Sequence, residues 1–264
     1  MFGAMFSWRA FPDVTPGAYL TVPALRASGI DVAFTTRLGG FSDGAFASLN
    51  LSYVSGDDPG TVSRNRARAL QAIGVAPDRW TSGRQVHGTT VARVTTTERG
   101  MGATDPASVV PDTDALWTSE ADTALAVLVA DCVPIVLADP ERRRIGVVHA
   151  GWRGLVAGIV ERAVSEIEPA RTLEAYVGPA IGPCCYEVGA DVTEPARAAL
   201  GDGVVRSKGA MRLDLWLGAQ IALRTAGVQR IHLAALCTRC EPHRFFSHRA
   251  GDSGRQGVLA VMRA

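Results

Sequence analysis

Hydrophobic positions along the chain follow two periods. Around 31–36, 90–97, 124–130, 134–138, 145–149, 173–177, 230–236 and 257–262 apolar residues run on with few polar interruptions, which predicts strands, several of them buried on both faces. Three other stretches repeat at three and four residues. After Asp58-Pro59, a capping carboxylate with proline in the first turn, Val62, Ala69, Leu70 and Ile73 mark one face of a helix that closes at Gly74. A second helix over 154–168 carries Leu155, Ile159, Ala163 and Ile167 and is expected to stop at Pro169. A third starts from Asp214, carries Leu215, Ala219, Ala222, Leu223 and Ala226, and ends at Gly227. Close spacing between 124 and 149 predicts neighbouring hairpin-like strands, whereas the helices at 154 and 214 sit between strands as crossovers. The expected fold class is α+β, with mixed β-sheets flanked by helices.

Composition narrows the class further. The 264 residues show no repeat, linker or low-complexity run, which predicts one compact domain over 1–264. At 47% hydrophobic and 20% charged, the chain can bury a core without covalent staples. A formal net charge of +1 gives no global field for polyanions, so neither nucleic acid nor an acidic membrane is an expected partner. The longest apolar run, 124–130, is far short of the ~20 residues that span a bilayer. The amino terminus, MFGAMFSWRAFPD, has no basic region ahead of its apolar residues and no cleavage site after them. Five cysteines, two of them adjacent at Cys184 and Cys185, argue for a reduced compartment, the cytoplasm, with free or metal-bound thiols.

Candidate chemistry gathers at strand ends. His87 in RQVHGTT, Cys132 in VLVADCVPI and His149 in GVVHAGWRG each lie at or just past the end of a predicted strand. One thiolate and two imidazoles suit Zn²⁺, and three protein ligands leave a tetrahedral ion an open position, as catalytic sites require. The spacing matches no local finger motif. A buried cysteine with two hydrogen-bonded histidines is the bland alternative, and a metal-free Cys132/His149 nucleophile pair is a third. Arg37 beside Gly39-Gly40 and Ser42 offers an anion grip, against the plainer reading of a turn; Arg66 reads as a solvated helix arginine. The segment 149–154, HAGWRG, brings His149, Trp152 and Arg153 to a helix start that could face an anion. Asp131, Asp114 and Glu187 are the candidate acids and bases, and only Asp131 adjoins a proposed ligand. Strand neighbours point to opposite faces, so Asp131 and Cys132 share a face only if the strand ends between them, which Pro134 favours. Cys237, Cys240, His243 and His248 invite a structural zinc reading, weakened because a single short loop would have to wrap the ion. A redox role for the CxxC lacks a thioredoxin-like context. Phe245, Phe246 and Arg249 could position a flat ligand, and Cys184-Cys185 reads as a tight turn entering a strand.

TRLGGFS, SLNLSY followed by GDDP and NR, QVHG, DALWT, ADCVPIVLAD, HAGWRG, GPAIGPCCYEVG and FFSHRAGDSGRQGV resemble, in order and over nearly the whole chain, the laccase-like multicopper polyphenol oxidoreductase family, whose members are now regarded as purine nucleoside phosphorylases. The resemblance implies a compact α+β fold related to the cytotoxic-necrotizing-factor type of cysteine hydrolase. It implies metal ligation by His87, Cys132 and His149, with Zn²⁺ as the cofactor and Cu²⁺ as the alternative. It implies phosphorolysis of adenosine, inosine and methylthioadenosine to base and pentose 1-phosphate, with adenosine deamination as a second activity. On this reading Arg37 and Arg153 hold phosphate, Gln85 and Asn50 join them as substrate contacts, and Asp131 shuttles the proton while an ion-acidified water attacks C6. The chain departs from the family in YVSGDD, where a histidine is common, and in His248, where a tyrosine is common; both touch substrate preference at the rim. The expected partners are purine nucleosides and phosphate, and the expected assembly is a monomer or small homo-oligomer. Copper-dependent oxidation of phenols is the runner-up and fits a chain of five histidines poorly. A Cys132/His149 hydrolase acting on cell-wall peptide amides and a non-catalytic metal or nucleotide sensor complete the alternatives.

Overall fold

Strands and helices alternate through a computed structural model that describes residues 5–11, 18–168 and 170–264. In chain order its first half forms β1 (Ser7–Ala10), β2 (Ala18–Thr21), α1 (Pro23–Ala27), β3 (Ile30–Thr35), α2 (Pro59–Gln71), β4 (Trp80–Ser82), β5 (Val91–Arg93), β6 (Ala115–Thr118) and β7 (Ala124–Val129). The second half adds β8 (Val133–Asp139), β9 (Arg144–Ala150), α3 (Trp152–Ala157), α4 (Ile159–Ile167), β10 (Glu174–Val177), α5 (Ala190–Leu200), β11 (Val205–Lys208), β12 (Ala210–Leu213), α6 (Leu215–Thr225), β13 (Arg230–Leu233) and β14 (Gln256–Met262). Two mixed six-stranded sheets result, in the orders β1-β2-β3-β14-β7-β4 and β13-β10-β8-β9-β6-β5, with β11 and β12 as a separate hairpin.

Side-chain alternation explains why so many strands read as unbroken apolar runs. In β8, Val136 and Ala138 pack with Leu125, Val127, Val258 and Ala260 of the first sheet, while Val133, Ile135 and Leu137 point the other way, toward α3, α4 and α6. The outer face of the first sheet buries Ala33, Ala126 and Leu259 beneath Ala69 and Leu70 of α2. The layers are therefore helix, sheet, sheet, helix, in a single compact α+β domain, and both faces of each sheet lie in a core.

Local chemistry sets the ends of these elements. Asp58 caps α2 by accepting the Thr61 N–H at 2.7 Å, and Asp214 caps α6 by accepting the Leu217 N–H at 3.0 Å. The predicted helix over 154–168 is two helices, because Gly158 at φ 88° turns the chain between α3 and α4; Pro169, its expected stop, lies outside the described residues. Helix α5, with Pro195 inside it, and the β11–β12 hairpin are elements the hydrophobic pattern did not predict.

Three further expectations are corrected. Only β8 and β9 form a hairpin between 124 and 149; β7 belongs to the other sheet, and the chain crosses between sheets through Asp131 at φ 88°. Arg66 is 5% exposed, with its guanidinium between the rings of Tyr53 and Trp80 and bonded to the carbonyls of Leu51 and Gly102, so it is a core strut. Cys184 and Cys185 form a turn that leads to a single bridge, Glu187 with Arg212, and not into a strand.

Candidate metal centre

The crossing between sheets places Cys132. It follows the Asp131 turn and precedes β8, on which Pro134 pairs with His149 of β9. His87 arrives from the loop after β4, held at φ 59° in the left-handed region that histidine tolerates better than bulky residues. What holds it there is Asp114, a fully buried carboxylate just before β6. Asp114 accepts the backbone N–H groups of Val86 (3.1 Å), His87 (3.0 Å) and Gly88 (2.8 Å), and its Oδ1 also lies 2.8 Å from His149 Nδ1. One side chain thus orients both histidines.

The three donor atoms fit a metal ion. Cys132 Sγ and a nitrogen of each histidine all lie within 4.8 Å of one another, with His87 Nε2 3.9 Å from the sulfur and the two imidazoles edge-to-face at 77°. Space is kept by Gly151, where a Cβ would stand 3.0 Å from both Cys132 Sγ and His87 Cδ2. His149 is fixed through its other nitrogen to a carboxylate, the arrangement that orients metal-binding histidines. Burial pushes the Cys132 thiol up, but the charge of His149 and hydrogen bonds from His149 and His87 outweigh it and bring the pKa down to about 6. Burial pushes His149 down, and the Cys132 thiolate together with Asp114 outweighs that, raising it to about 9. Thiolate and imidazolium therefore stabilise each other, and the sulfur is ready to ligate.

A cleft of about 540 Å³ opens over these residues, lined also by Tyr53, Gln85, Leu128, His248 and Arg255. Of the other residues singled out by sequence, Gln85 reaches the wall, but its amide is closed on the backbone of Leu128, donating at 2.7 Å and accepting at 2.8 Å. Asn50 is buried behind the cleft and accepts the Arg255 N–H at 3.0 Å. Arg37 stacks on Phe246 and bonds to the carbonyls of Ala47 and Pro242 and to Asp252, outside the cleft lining. Arg153 is exposed and lies over the Trp152 ring, away from the lining. Asp131 is buried, and its carboxylate accepts from Thr238 Oγ1 (2.5 Å), Ser247 Oγ (3.0 Å) and the Arg249 N–H (2.7 Å).

Two residues were read too weakly from the sequence. Asp114 opens the DALWT segment, where the sequence marks it only as a candidate acid or base, and Arg255 lies within GDSGRQGV with no local signal of a role. Arg255 is one of three arginines that line the cleft, with the buried Arg66 and the exposed Arg84 paired to Asp112; it is partly buried, and its Nη1 is tied to the carbonyls of Asp252, Ser253 and Gly254. Burial lowers its pKa, against the opposing charges of Cys132, Asp131 and Asp252.

A helix-covered pair of sheets thus carries, where they meet, an open thiolate–imidazole cluster whose three donors could hold a metal ion. The chain belongs to the family described as multi-copper polyphenol oxidoreductase laccase, which it matches over residues 31–263. Among curated relatives, the Geobacillus stearothermophilus protein named purine nucleoside phosphorylase YlmD is 40% identical over 86% of this chain and 88% of its own length. A purine nucleoside phosphorylase of Xylella fastidiosa is 41% identical, over 88% of this chain and 92% of its own. The crystal structure of YlmD superposes with a TM-score of 0.90 at 36% identity, covering 99% of this chain and all of that one; Bacillus licheniformis YfiH gives 0.89 at 31%, covering 97% and 99%. Among the described residues, no helix is long and apolar enough to cross a membrane.

Proposed function

We propose that the chain is a metal-dependent purine nucleoside phosphorylase acting on adenosine, inosine and methylthioadenosine, with adenosine deamination as a second activity of the same cleft. The observation that carries the reading is the open three-donor site beside a partly buried arginine in one cleft of nucleoside size. Relatives named purine nucleoside phosphorylase at about 40% identity support it. His87, Cys132 and His149 would hold the ion, zinc in this proposal with copper as the alternative, and a bound ion would supply Lewis acidity there.

The chain's own residues do the rest. Arg255 holds phosphate against C1′ of the sugar; a phosphate oxygen bonds to C1′ as the C1′–N9 bond breaks, and the base leaves with the electron pair and takes a proton. Placement and charge stabilisation of the oxocarbenium-like state supply most of the rate. The apolar wall at Leu128 and Val129 receives the purine, and His248 at the mouth is the side chain from which the departing base draws its proton. Arg37, Asn50 and Gln85 act as positioning residues: Asn50 fixes the Arg255 backbone, Arg37 holds Asp252, and Gln85 fixes the Leu128 wall. Asp131 likewise positions Cys132. Arg153, exposed over the Trp152 ring and outside the cleft lining, takes no part in this step. The five cysteines form no disulfide, which supports a cytoplasmic setting, and the Cys132/His149 pair is what a kinship with cysteine hydrolases would rest on.

The test is anaerobic release of adenine from adenosine, with and without phosphate. Adenine and ribose 1-phosphate that need phosphate and not oxygen are the expected products, with hypoxanthine reporting deamination. Turnover of phenols that requires oxygen, without nucleoside turnover, would overturn the reading in favour of copper oxidation.

A further inference from the structure

Four cysteines outside the cleft come together from two turns. Cys184 and Cys185 lie in the turn after Gly182, and Cys237 and Cys240 lie in the loop after β13. Their four sulfurs are all within 4.8 Å of one another, and Cys240 Sγ is 3.4 Å from both Cys184 Sγ and Cys185 Sγ. A tetrahedral ion with metal–sulfur bonds of about 2.3 Å separates its sulfurs by about 3.8 Å, so this cluster needs only small side-chain adjustments to enclose one.

The backbone already brings the two turns together. Ala180 donates to the Leu236 carbonyl and accepts from the Thr238 N–H, each at 3.2 Å. Gly182 N–H donates to Cys237 Sγ at 3.2 Å, and Arg239 Nη1 donates to the Cys185 carbonyl at 3.3 Å. The Glu241 N–H closes the CxxC turn on the Cys237 carbonyl at 3.2 Å. Cys237 and Cys240 have the C-x-x-C spacing of structural zinc sites, the adjacent Cys184 and Cys185 supply two more sulfurs from a separate turn, and no single loop has to wrap the ion. The histidines of the sequence reading are not required: His248 lines the cleft instead.

We propose that Cys184, Cys185, Cys237 and Cys240 form a second, structural Zn²⁺ site with four thiolate ligands. All four positions of the ion are filled by protein, so the site has no open position for substrate. It acts as a staple. The loop it fixes carries Thr238, Ser247 and Arg249, the three donors to Asp131, which precedes Cys132. Thiol side chains lose their protons to solvent on binding, and no oxidation is involved.

The test uses the full chain purified under reducing conditions. Zinc content should be two ions per chain, falling to one in Cys132→Ser and to one in the double variant Cys184→Ser/Cys240→Ser. Cobalt(II) added to metal-free Cys132→Ser should develop the intense visible bands of a tetrahedral tetrathiolate site; this keeps all four cysteines and does not depend on the double variant folding. One ion per wild-type chain, unchanged in the double variant, would overturn the proposal. So would absence of those cobalt bands, or an intact mass short by two hydrogens that marks a disulfide in the freshly isolated chain. Nucleoside turnover plays no part in these readouts, so their outcome is separate from the phosphorylase reading.

Discussion

Cys132 is held as an anion by its neighbours, and this has a direct chemical signature. In metal-free protein, alkylation by iodoacetamide should rise through a midpoint near pH 6, where an ordinary thiol would titrate near 9. The acid limb belongs to the thiolate: below about pH 6 it takes up a proton and the rate falls. Above about 9 His149 loses its proton and its support for the thiolate, though by then any thiol is ionised. Replacing Asp114 by Asn removes the carboxylate that favours the imidazolium, so the midpoint should move upward, and metal affinity should fall by roughly 10- to 100-fold. Gly151→Ala should also weaken metal binding, measured by competition with a chromophoric chelator, because its Cβ would occupy the space 3.0 Å from Cys132 Sγ and His87 Cδ2. Position at strand ends singled out His87, Cys132 and His149 in the sequence, whereas their joint ligation of an ion came only from the family resemblance, since their spacing matches no local motif. The motifs did not reveal which atoms face the cleft: Arg37, Asn50 and Gln85 stand in recognisable motifs, yet their polar atoms are taken up by backbone and by the side chains of Ser55, Asp57 and Asp252. That information lies in contacts such as Asp114 with His149, 35 residues apart, which no local pattern encodes.

Elements whose ends carry their own chemistry were the easiest to read. Helix α2 has a capping aspartate, an early proline and a clear apolar face, and its expected span agrees closely with Pro59–Gln71. The 154–168 stretch has an equally good apolar face, but a single glycine decides that it is two helices. Gly158→Ala forces a side chain into the left-handed region while meeting nothing closer than Glu161 at 3.7 Å. The cost should be about 1 kcal/mol, seen as a melting temperature lower by about 2–4 °C. Helix α5 escaped notice because Pro195 reads as a breaker. The β7–β8 step is not legible in the sequence, because a short gap between apolar runs is the same signal whether the chain turns back in one sheet or steps across to another.

At the scale of the whole molecule, two sheets packed between helical layers put every long apolar run inside a core, and this is why the fold class was legible while the strand order was not. The order depends on pairings such as β14 with β3, more than 200 residues apart in sequence. The three-donor cluster draws on both sheets, since His87 follows β4 of the first, His149 lies on β9 of the second and Cys132 lies on the crossing between them. Removing the ion with a chelator should therefore lower the melting temperature by several degrees, in line with the roughly 4 kcal/mol that ligand at about a thousandfold excess over Kd contributes. Exchange of Arg255 for Ala should raise the KM for phosphate by at least tenfold while leaving metal content unchanged, which separates anion holding from metal binding.

Among the described strands, the one that joins the first sheet comes last in chain order. Strand β14 pairs antiparallel with β3 on one side and β7 on the other. During synthesis on the ribosome, β3 and β7 must wait with open edges until residues 256–262 emerge. Arg255 leaves the ribosome immediately before that strand. The cleft thus gains Arg255 at the moment its sheet can close, and a nascent chain halted earlier should be both open to protease and without phosphate-dependent turnover.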